Sequence, residues 1–456
     1  MYFKRFYDDN LAHASYLVGC QESGAAIVID PARHVECYLA EAEAQGLKID
    51  KVTETHIHAD YLSGTRQLAH ATGCEVLLSG EGGEDWQYGF LGEDDRKLYD
   101  GDVIEVGNLT LRVLHTPGHT PEHLSFVLTD HPAGEAPVGA FTGDFLFVGD
   151  VGRPDLLEKA AGNEDTMRDG AKQLYSSLAK FRKLPEHIQV WPAHGAGSAC
   201  GKALGALPTS VLKYEMETNW AFSCKTEEEF VDTILDGQPE PPKYFSKMKE
   251  LNKTGPDLLP EGLPGREPDS ALRSIQQAED LIDLRSQEKF ARRHPERAIF
   301  LPRGKALPTW AGWLLSYDKP HYLVITSDTE LEPAVRALRS IGLDCTAGYF
   351  LESALSEAST VGTERLRPED VDEKKHNILD VRSQSEGEEG HVEGATHIHL
   401  GYLLDKLDEV PDNPVIHCQS GLRSLIALSL LQRAGKKPRD IVGGFAKLKQ
   451  ESLALV

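Results

Sequence analysis

A chain of 456 residues is too long for one ordinary hydrophobic core and reads as two to four domains. Its 40% hydrophobic and 26% charged residues are those of a soluble globular protein, and no apolar run approaches the length of a membrane-spanning helix. A formal charge of −24 excludes nucleic acid and anionic membrane surfaces as partners but not small anionic substrates, which need only a local positive site.

Met1 to Tyr7 is followed by Asp8 and Asp9, with no apolar leader. The 7 cysteines (Cys20, Cys37, Cys74, Cys200, Cys224, Cys345, Cys418) include no Cys-x-x-Cys pair, which suits a reduced compartment. The expected location is cytoplasmic.

As far as about residue 205, β-like runs alternate with turns. Ala25 to Ile29 ends in Asp30-Pro31, Val76 to Leu78 ends in Ser79-Gly80, Leu109 to Leu114 alternates, and Leu124 to Leu128 stops at Thr129-Asp130. Helical patterns fall between them at 33–46 and 63–71, giving a mixed α/β layer pattern. Residues 239–269 are rich in proline and glycine and read as a linker.

Two similar segments follow. Leu281-Ile282-Asp283-Leu284-Arg285-Ser286 echoes Ile378-Leu379-Asp380-Val381-Arg382-Ser383, and Tyr322 to Thr326 echoes Pro414 to His417. Apolar helical patterns come next at 332–341 and 423–434, so the segments read as a duplicated small α/β unit. The expected domains are 1–238, the linker 239–269, and the two units 270–362 and 363–456.

Histidines and acids recur at turns of the first domain. Thr55-His56-Ile57-His58-Ala59-Asp60 follows an apolar strand pattern, and in an extended backbone His56 and His58 share a face. Thr116-Pro117-Gly118-His119-Thr120, Phe141-Thr142-Gly143-Asp144 and Trp191-Pro192-Ala193-His194-Gly195 repeat the theme. A lone His-x-His is more often surface chance, but four such segments point to a metal.

In order and spacing these segments resemble the metallo-β-lactamase superfamily, whose αββα sandwich gathers such loops along one edge. The family's His-x-His-x-Asp-His motif has Tyr61 at its last position here, which removes an expected ligand of a second ion and favours a single metal. Resemblance to the persulfide dioxygenases of that superfamily implies His56, His119 and Asp144 as ligands, the two-histidine, one-carboxylate set that favours non-heme Fe(2+). His58, Asp60 and His194 would then orient the ligands or serve as alternatives. The rival is a Zn(2+) thioester hydrolase like glyoxalase II. His115 and His123 read as ordinary strand-end and loop residues.

Cys418-Gln419-Ser420-Gly421-Leu422-Arg423 follows a buried-looking strand and precedes a helix, so converging N–H groups and a helix N-terminus would favour a thiolate or persulfide. The plainer reading is a buried structural cysteine. With Asp380-Val381-Arg382 and Gly390-His391-Val392-Glu393-Gly394-Ala395 upstream, the loop resembles that of rhodanese-type sulfurtransferases. That resemblance implies that Cys418 carries sulfane sulfur, Gly421 allows close approach, and Arg423 helps bind anionic acceptors such as sulfite. The earlier unit has Ser327 at the expected place and reads as catalytically silent.

Cys200, six residues beyond His194, is expected at the rim of the metal site, where it would hold or relay sulfur with Lys202 beside it; a small residue in a crowded turn is the competing reading. Arg153 is a candidate for binding an anionic thiol carrier, against the commoner role of an exposed ion pair. The domain order resembles bacterial fusions of a persulfide dioxygenase with tandem rhodanese domains. It implies a low-molecular-weight persulfide and O2 as substrates, sulfite and thiosulfate as products, and a homo-oligomer. A non-catalytic sulfur-binding scaffold is the remaining alternative.

Overall fold

The strands within the first 211 residues pair in two runs that follow chain order. The computed structural model describes residues 1–155, 166–198, 200–202, 204–238 and 240–451. Pro239 of the expected linker and 452–456 of the last unit lie outside the described residues. One six-stranded sheet comprises β1 (Tyr2–Asp8), β2 (His13–Gly19), β3 (Ala25–Ile29), β4 (Lys48–Thr53), β5 (Glu75–Ser79) and β6 (Arg96–Leu98). The other comprises β7 (Val103–Val106), β8 (Leu109–His115), β9 (Leu124–Asp130), β10 (Pro137–Gly143), β11 (Gln189–Pro192) and β12 (Ser210–Val211).

The period-2 alternation of side chains sorts their apolar residues between two faces. Tyr16, Val18, Ile27 and Ile29 pack with Leu111, Val113, Phe126 and Phe141 between the sheets. Leu17, Ala26 and Val28 pack on Tyr38, Ala42 and Leu68 of the helices Glu36–Ala44 and Thr65–Thr72. Val127, Ala140 and Val190 pack on Ala171, Leu174 and Leu178 of the Thr166–Phe181 helix. The result is the expected αββα sandwich. Both sheets are covered on both faces, which is why β2 is buried at every residue.

The chain folds as two compact units, Met1–Leu259 with Ser340–Gly342, and Pro260–Arg339 with Leu343–Val456. The expected linker is therefore corrected. Its residues Tyr244–Thr254 form a helix of the first unit, burying Tyr244, Phe245, Met248 and Asn252. The many prolines flank this amphipathic stretch and conceal it.

The second unit holds two sheets of identical topology. β13 (Gly265–Arg266), β14 (Asp280–Asp283), β16 (Ile299–Phe300), β17 (His321–Ile325) and β18 (Thr346–Leu351) run parallel in the order β13-β18-β17-β14-β16, while β15 (His294–Pro295) pairs separately with β19 (Thr360–Val361). β20 (Arg365–Leu366), β21 (Ile378–Asp380), β22 (Thr396–His397), β23 (Val415–His417) and β24 (Arg439–Ile441) repeat that pattern as β20-β24-β23-β21-β22. Two α/β units of the same strand order thus follow the sandwich, and the first begins at Gly265, inside the expected linker.

Register refines the duplication. Asp283 pairs with Val324, and Asp380 with His417. Counting on by one residue, Ile325 stands where Cys418 does, not Ser327. The conclusion that this copy has no thiol at that place is unchanged. The Leu422–Arg433 helix buries Ser424 to Leu431 without a break because it has neighbours on both sides. On the side of the first copy, Phe300 N–H donates to Ser429 Oγ at 3.0 Å, and His294 bonds Gln432 at 3.0 Å.

Candidate metal centre and persulfide loop

The segment Thr55 to Asp60 is a loop after β4, not a continuation of the strand. Asp30 at the end of β3 pins it: Thr55 N–H donates to Asp30 Oδ1 at 2.6 Å, and Thr55 Oγ1 donates to Asp30 Oδ2 at 3.0 Å. Glu122 Oε1 accepts the Ile57 N–H at 2.8 Å. Asn252 Nδ2 donates to the carbonyls of His58 and Tyr61 at 2.8 and 2.7 Å, and its Oδ1 accepts the Ser63 N–H at 2.9 Å.

The loops converge on Asp144. His56, His119 and Asp144 are buried, with ligand atoms within 4.8 Å of one another. From the Asp144 carboxylate the Nε2 atoms of His56, His119 and His194 lie at 3.8, 3.5 and 3.4 Å. The Nδ1 atoms face Thr55 Oγ1, the Arg153 carbonyl and the Ala12 carbonyl at 3.0, 2.9 and 3.1 Å. Each such bond assigns the proton to Nδ1 and leaves the Nε2 lone pair facing Asp144. Burial, then the neighbouring imidazoles, hold His56 well below the ordinary histidine range, and burial also lowers His119.

This geometry fits a cation. Among the described residues, both oxygens of Asp144 are buried without a hydrogen-bond partner, as is His194 Nε2. A buried carboxylate in that state carries a large desolvation cost unless an ion offsets it. The donor set of two imidazoles and a carboxylate suits a divalent metal.

His58 stands apart, with Nε2 3.2 Å from Asp30 Oδ1. Burial opposes its charge, but Asp30 outweighs burial and lifts it to about 9. Asp60, His194 and Cys200 form a second buried donor group, also within 4.8 Å. Cys200 thus stands beside the metal site, as expected, but it is buried: it is 1% exposed, and burial followed by Asp60 and Asp144 pushes its thiol well up. Lys202 is turned elsewhere, its Nζ donating to the Asp236 carbonyl at 2.9 Å. Arg153 is corrected as well. It is fully buried, with Nε and Nη2 on Asp155 at 2.7 and 2.6 Å, and its carbonyl holds His119, so it positions a histidine and is not offered to substrate.

Sequence reasoning missed several participants. His123 accepts the Asp144 N–H at 3.1 Å and lies parallel to His56. Gly143 at φ 50° turns the chain at this point, where a Cβ would strike Thr55 and His123. Burial raises Glu122 to about 7 and lowers Lys249 to about 8; Lys249 Nζ sits 3.6 Å from the Trp86 ring centroid. Asp30 had one signal, an acid ending an apolar run.

In the second unit Cys418 is 1% exposed and follows β23 directly. Gly421, at φ 102°, donates its N–H to Cys418 Sγ at 3.1 Å, so a single amide of the expected converging set reaches the sulfur among the described residues. The short helix Gly444–Leu448 ties the loop down, with Phe445 N–H donating to the Cys418 carbonyl at 2.7 Å. Arg423 is paired bidentately with Glu386 at 2.5 and 2.7 Å. In this structure the guanidinium is neutralised by Glu386 and braces the loop.

Comparison with known proteins agrees with this division. The family model of the metallo-β-lactamase superfamily matches residues 8–194, and that of the rhodanese-like domain matches 367–451. The chain is 35% identical over 185 residues to a hydroxyacylglutathione hydrolase of Rhodospirillum rubrum, covering 39% of this chain and 60% of the relative. It is 31% identical over 198 residues to the mitochondrial persulfide dioxygenase ETHE1 of Bos taurus, covering 42% of this chain and 67% of the relative. A crystal structure of a metallo-β-lactamase from Staphylococcus aureus subsp. aureus COL superposes with a TM-score of 0.72 at 44% identity, covering 77% of this chain and 99% of the other. With the sandwich, the histidine loops and the cysteine loop in place, the chain belongs to the metallo-β-lactamase superfamily and carries a C-terminal rhodanese-like domain.

Proposed function

We propose that the chain oxidises a low-molecular-weight persulfide with O2 and water to a thiol and sulfite, and that Cys418 converts the sulfite to thiosulfate. What carries this reading is one chain that joins a buried cluster of His56, His119 and Asp144 to a Cys-x-x-Gly-x-Arg loop. Similarity to a protein named persulfide dioxygenase supports it. His56, His119 and Asp144 would hold a ferrous ion, which when bound would supply the redox chemistry for reaction of O2 with the persulfide. Thr55 and Arg153 hold the two imidazoles in the tautomer that binds metal, and burial keeps bulk water away. At the second site the Cys418 thiolate attacks the outer sulfur of a second persulfide; the S–S pair leaves with the thiol and takes a proton. Sulfite then attacks the persulfide on Cys418, releasing thiosulfate and restoring the thiolate.

The test is O2 uptake by metal-analysed protein on addition of a persulfide, with products quantified for wild type and Cys418→Ser. Iron-dependent uptake is expected in both, with sulfite replacing thiosulfate in the variant. Absence of uptake from iron-loaded protein overturns the dioxygenase, and unchanged thiosulfate overturns the role of Cys418.

A second reading is favoured by one observation. Asp60, His194 and Cys200 form a second donor group, and His194 also faces Asp144, so two adjoining ions fit as well as one. A dizinc site hydrolysing a thioester, as the name of the Rhodospirillum relative suggests, is the corresponding activity. Thioester hydrolysis by zinc-loaded protein that consumes no O2 with persulfides selects it.

A further inference from the structure

A cavity of about 600 Å3 opens over the Cys418 loop, lined by Arg382, Glu386, Glu389, Gln419, Phe445 and Lys449. Its size is in the range of sites for organic molecules (about 300–1,000 Å3), and a lone oxyanion fills only a small part of such a space. Two cations at this loop are already committed. Arg382 is paired with Asp380 at 2.7 Å and lies 3.9 Å from the Phe445 ring centroid, and Arg423 neutralises Glu386. Glu389 and Lys449 are different. Both are exposed, both line the cavity, and neither forms an ion pair with the other or with any described group. The cavity therefore presents one open negative and one open positive charge, with Phe445, whose N–H bonds the Cys418 carbonyl, as an aromatic part of its wall.

We propose that this cavity docks an organic persulfide bearing an α-amino-acid head, with Lys449 on its carboxylate, Glu389 on its ammonium and Phe445 against its carbon chain. This rests on Cys418 as the sulfur-transfer nucleophile. The thiolate of Cys418 attacks the outer sulfur; the new bond is Cys418–S–S, and the old S–S pair departs on the carrier thiol with a proton. No other reactant is needed. The head can come from a short amino-thiol or from the γ-glutamyl end of a peptide thiol.

Loading of Cys418 in the full chain is to be followed by trapping and mass spectrometry, with persulfides of cysteine, glutathione, mercaptopropionate (no ammonium) and cysteamine (no carboxylate). Lys449→Gln is expected to slow cysteine and mercaptopropionate persulfides about fivefold, the scale of an exposed ion pair, and to leave cysteamine persulfide unchanged. Glu389→Gln is expected to slow cysteine and cysteamine persulfides and spare mercaptopropionate. The faster of cysteine and glutathione persulfide identifies the source of the head. Loading that ignores head group in both variants, or falls equally for every donor, overturns the docking proposal while Cys418 keeps its role. A wild type that no donor loads overturns the sulfur-transfer reading and this proposal with it.

Discussion

Glu386 and Arg423 meet across 37 residues of sequence, both guanidinium terminal nitrogens bonding the two carboxylate oxygens. Glu386 also accepts the N–H and hydroxyl of Ser383, at the start of the helix Gln384–Glu388. The Cys418 loop is thereby fastened to the neighbouring strand–helix turn. Burial alone raises the Glu386 carboxyl, but Arg423 and Ser383 outweigh it and bring it down to about 2. A depressed acid stabilises the fold above its unfolded value and loses that contribution as pH falls towards the folded one. Glu386→Gln is therefore expected to cost about 1 kcal/mol at neutral pH and nothing near pH 2. Melting curves of both proteins across that range check it; a gap that persists in acid contradicts the ion pair as its source.

The helix Tyr244–Thr254 makes the metal loop dependent on a distant segment. Asn252 satisfies three backbone groups of residues 58–63, and its removal strands them in the interior. Asn252→Ala is expected to destabilise the first unit by about 3 kcal/mol, the scale of several unsatisfied buried groups. A chain cut after residue 238 is expected to lose bound metal altogether. Metal content after dialysis, with a melt of each protein, decides; full metal retention by the truncated chain refutes the dependence.

That dependence shows where sequence was legible and where it was not. The liganding loops could be read because each is a contiguous motif at a strand end. Asn252 could not: its three partners lie 194, 191 and 189 residues away, and its helix hides among prolines. Asp30, Glu122 and His123 act on His58, Ile57 and Asp144 from tens of residues away in the chain, and no local pattern distinguishes them. Arg153 misled for a related reason, since an arginine in a Gly-Arg-Pro-Asp turn reads as a surface group until packing buries it. The two copies could be recognised from Asp-x-Arg, but only strand register identified the residue matching Cys418.

Arg153 joins stability to metal binding. Its guanidinium neutralises Asp155 while its carbonyl fixes His119. Arg153→Ala leaves Asp155 buried without that cation, a loss on the order of 3–5 kcal/mol. Displacing the carbonyl is expected to weaken metal affinity about 10–100-fold, as loss of an outer hydrogen bond commonly does. Metal titration of Arg153→Ala and Arg153→Lys tests this. A raised KM for persulfide with unaltered metal affinity would instead restore Arg153 as a substrate-binding residue.

Cys200 is expected to resist alkylation. It is 1% exposed, whereas Cys37 and Cys345 lie at the surface. Iodoacetamide with peptide mapping should label the exposed pair within minutes while Cys200 remains free until the fold is opened with denaturant. Equal labelling of all three in native protein argues that Cys200 is open to solvent.

The copy without a thiol at that place offers the sharpest check on the role of the charges at the Cys418 loop. Ile325 occupies the place of Cys418, and five residues on, Glu330 stands where Arg423 does. Counting from Asp283 and Asp380, Lys289 likewise stands where Glu386 does, so the brace is reversed in sign. Neither residue is free to re-form it: Lys289 pairs with Glu352 at 2.8 Å, and Glu330 pairs with Arg303 at 2.8 Å while accepting the Thr326 N–H. A thiol placed there has Glu330 at the position that Arg423 holds beside Cys418, and so lacks the cation that favours a thiolate or persulfide anion. Ile325→Cys in a Cys418→Ser background is expected to remain inactive in sulfur transfer. Adding Glu330→Arg and Lys289→Glu is expected to restore measurable persulfide loading at residue 325, read by trapping and mass spectrometry. Loading by the single cysteine substitution alone would show that the brace is dispensable and that the thiol by itself defines the site.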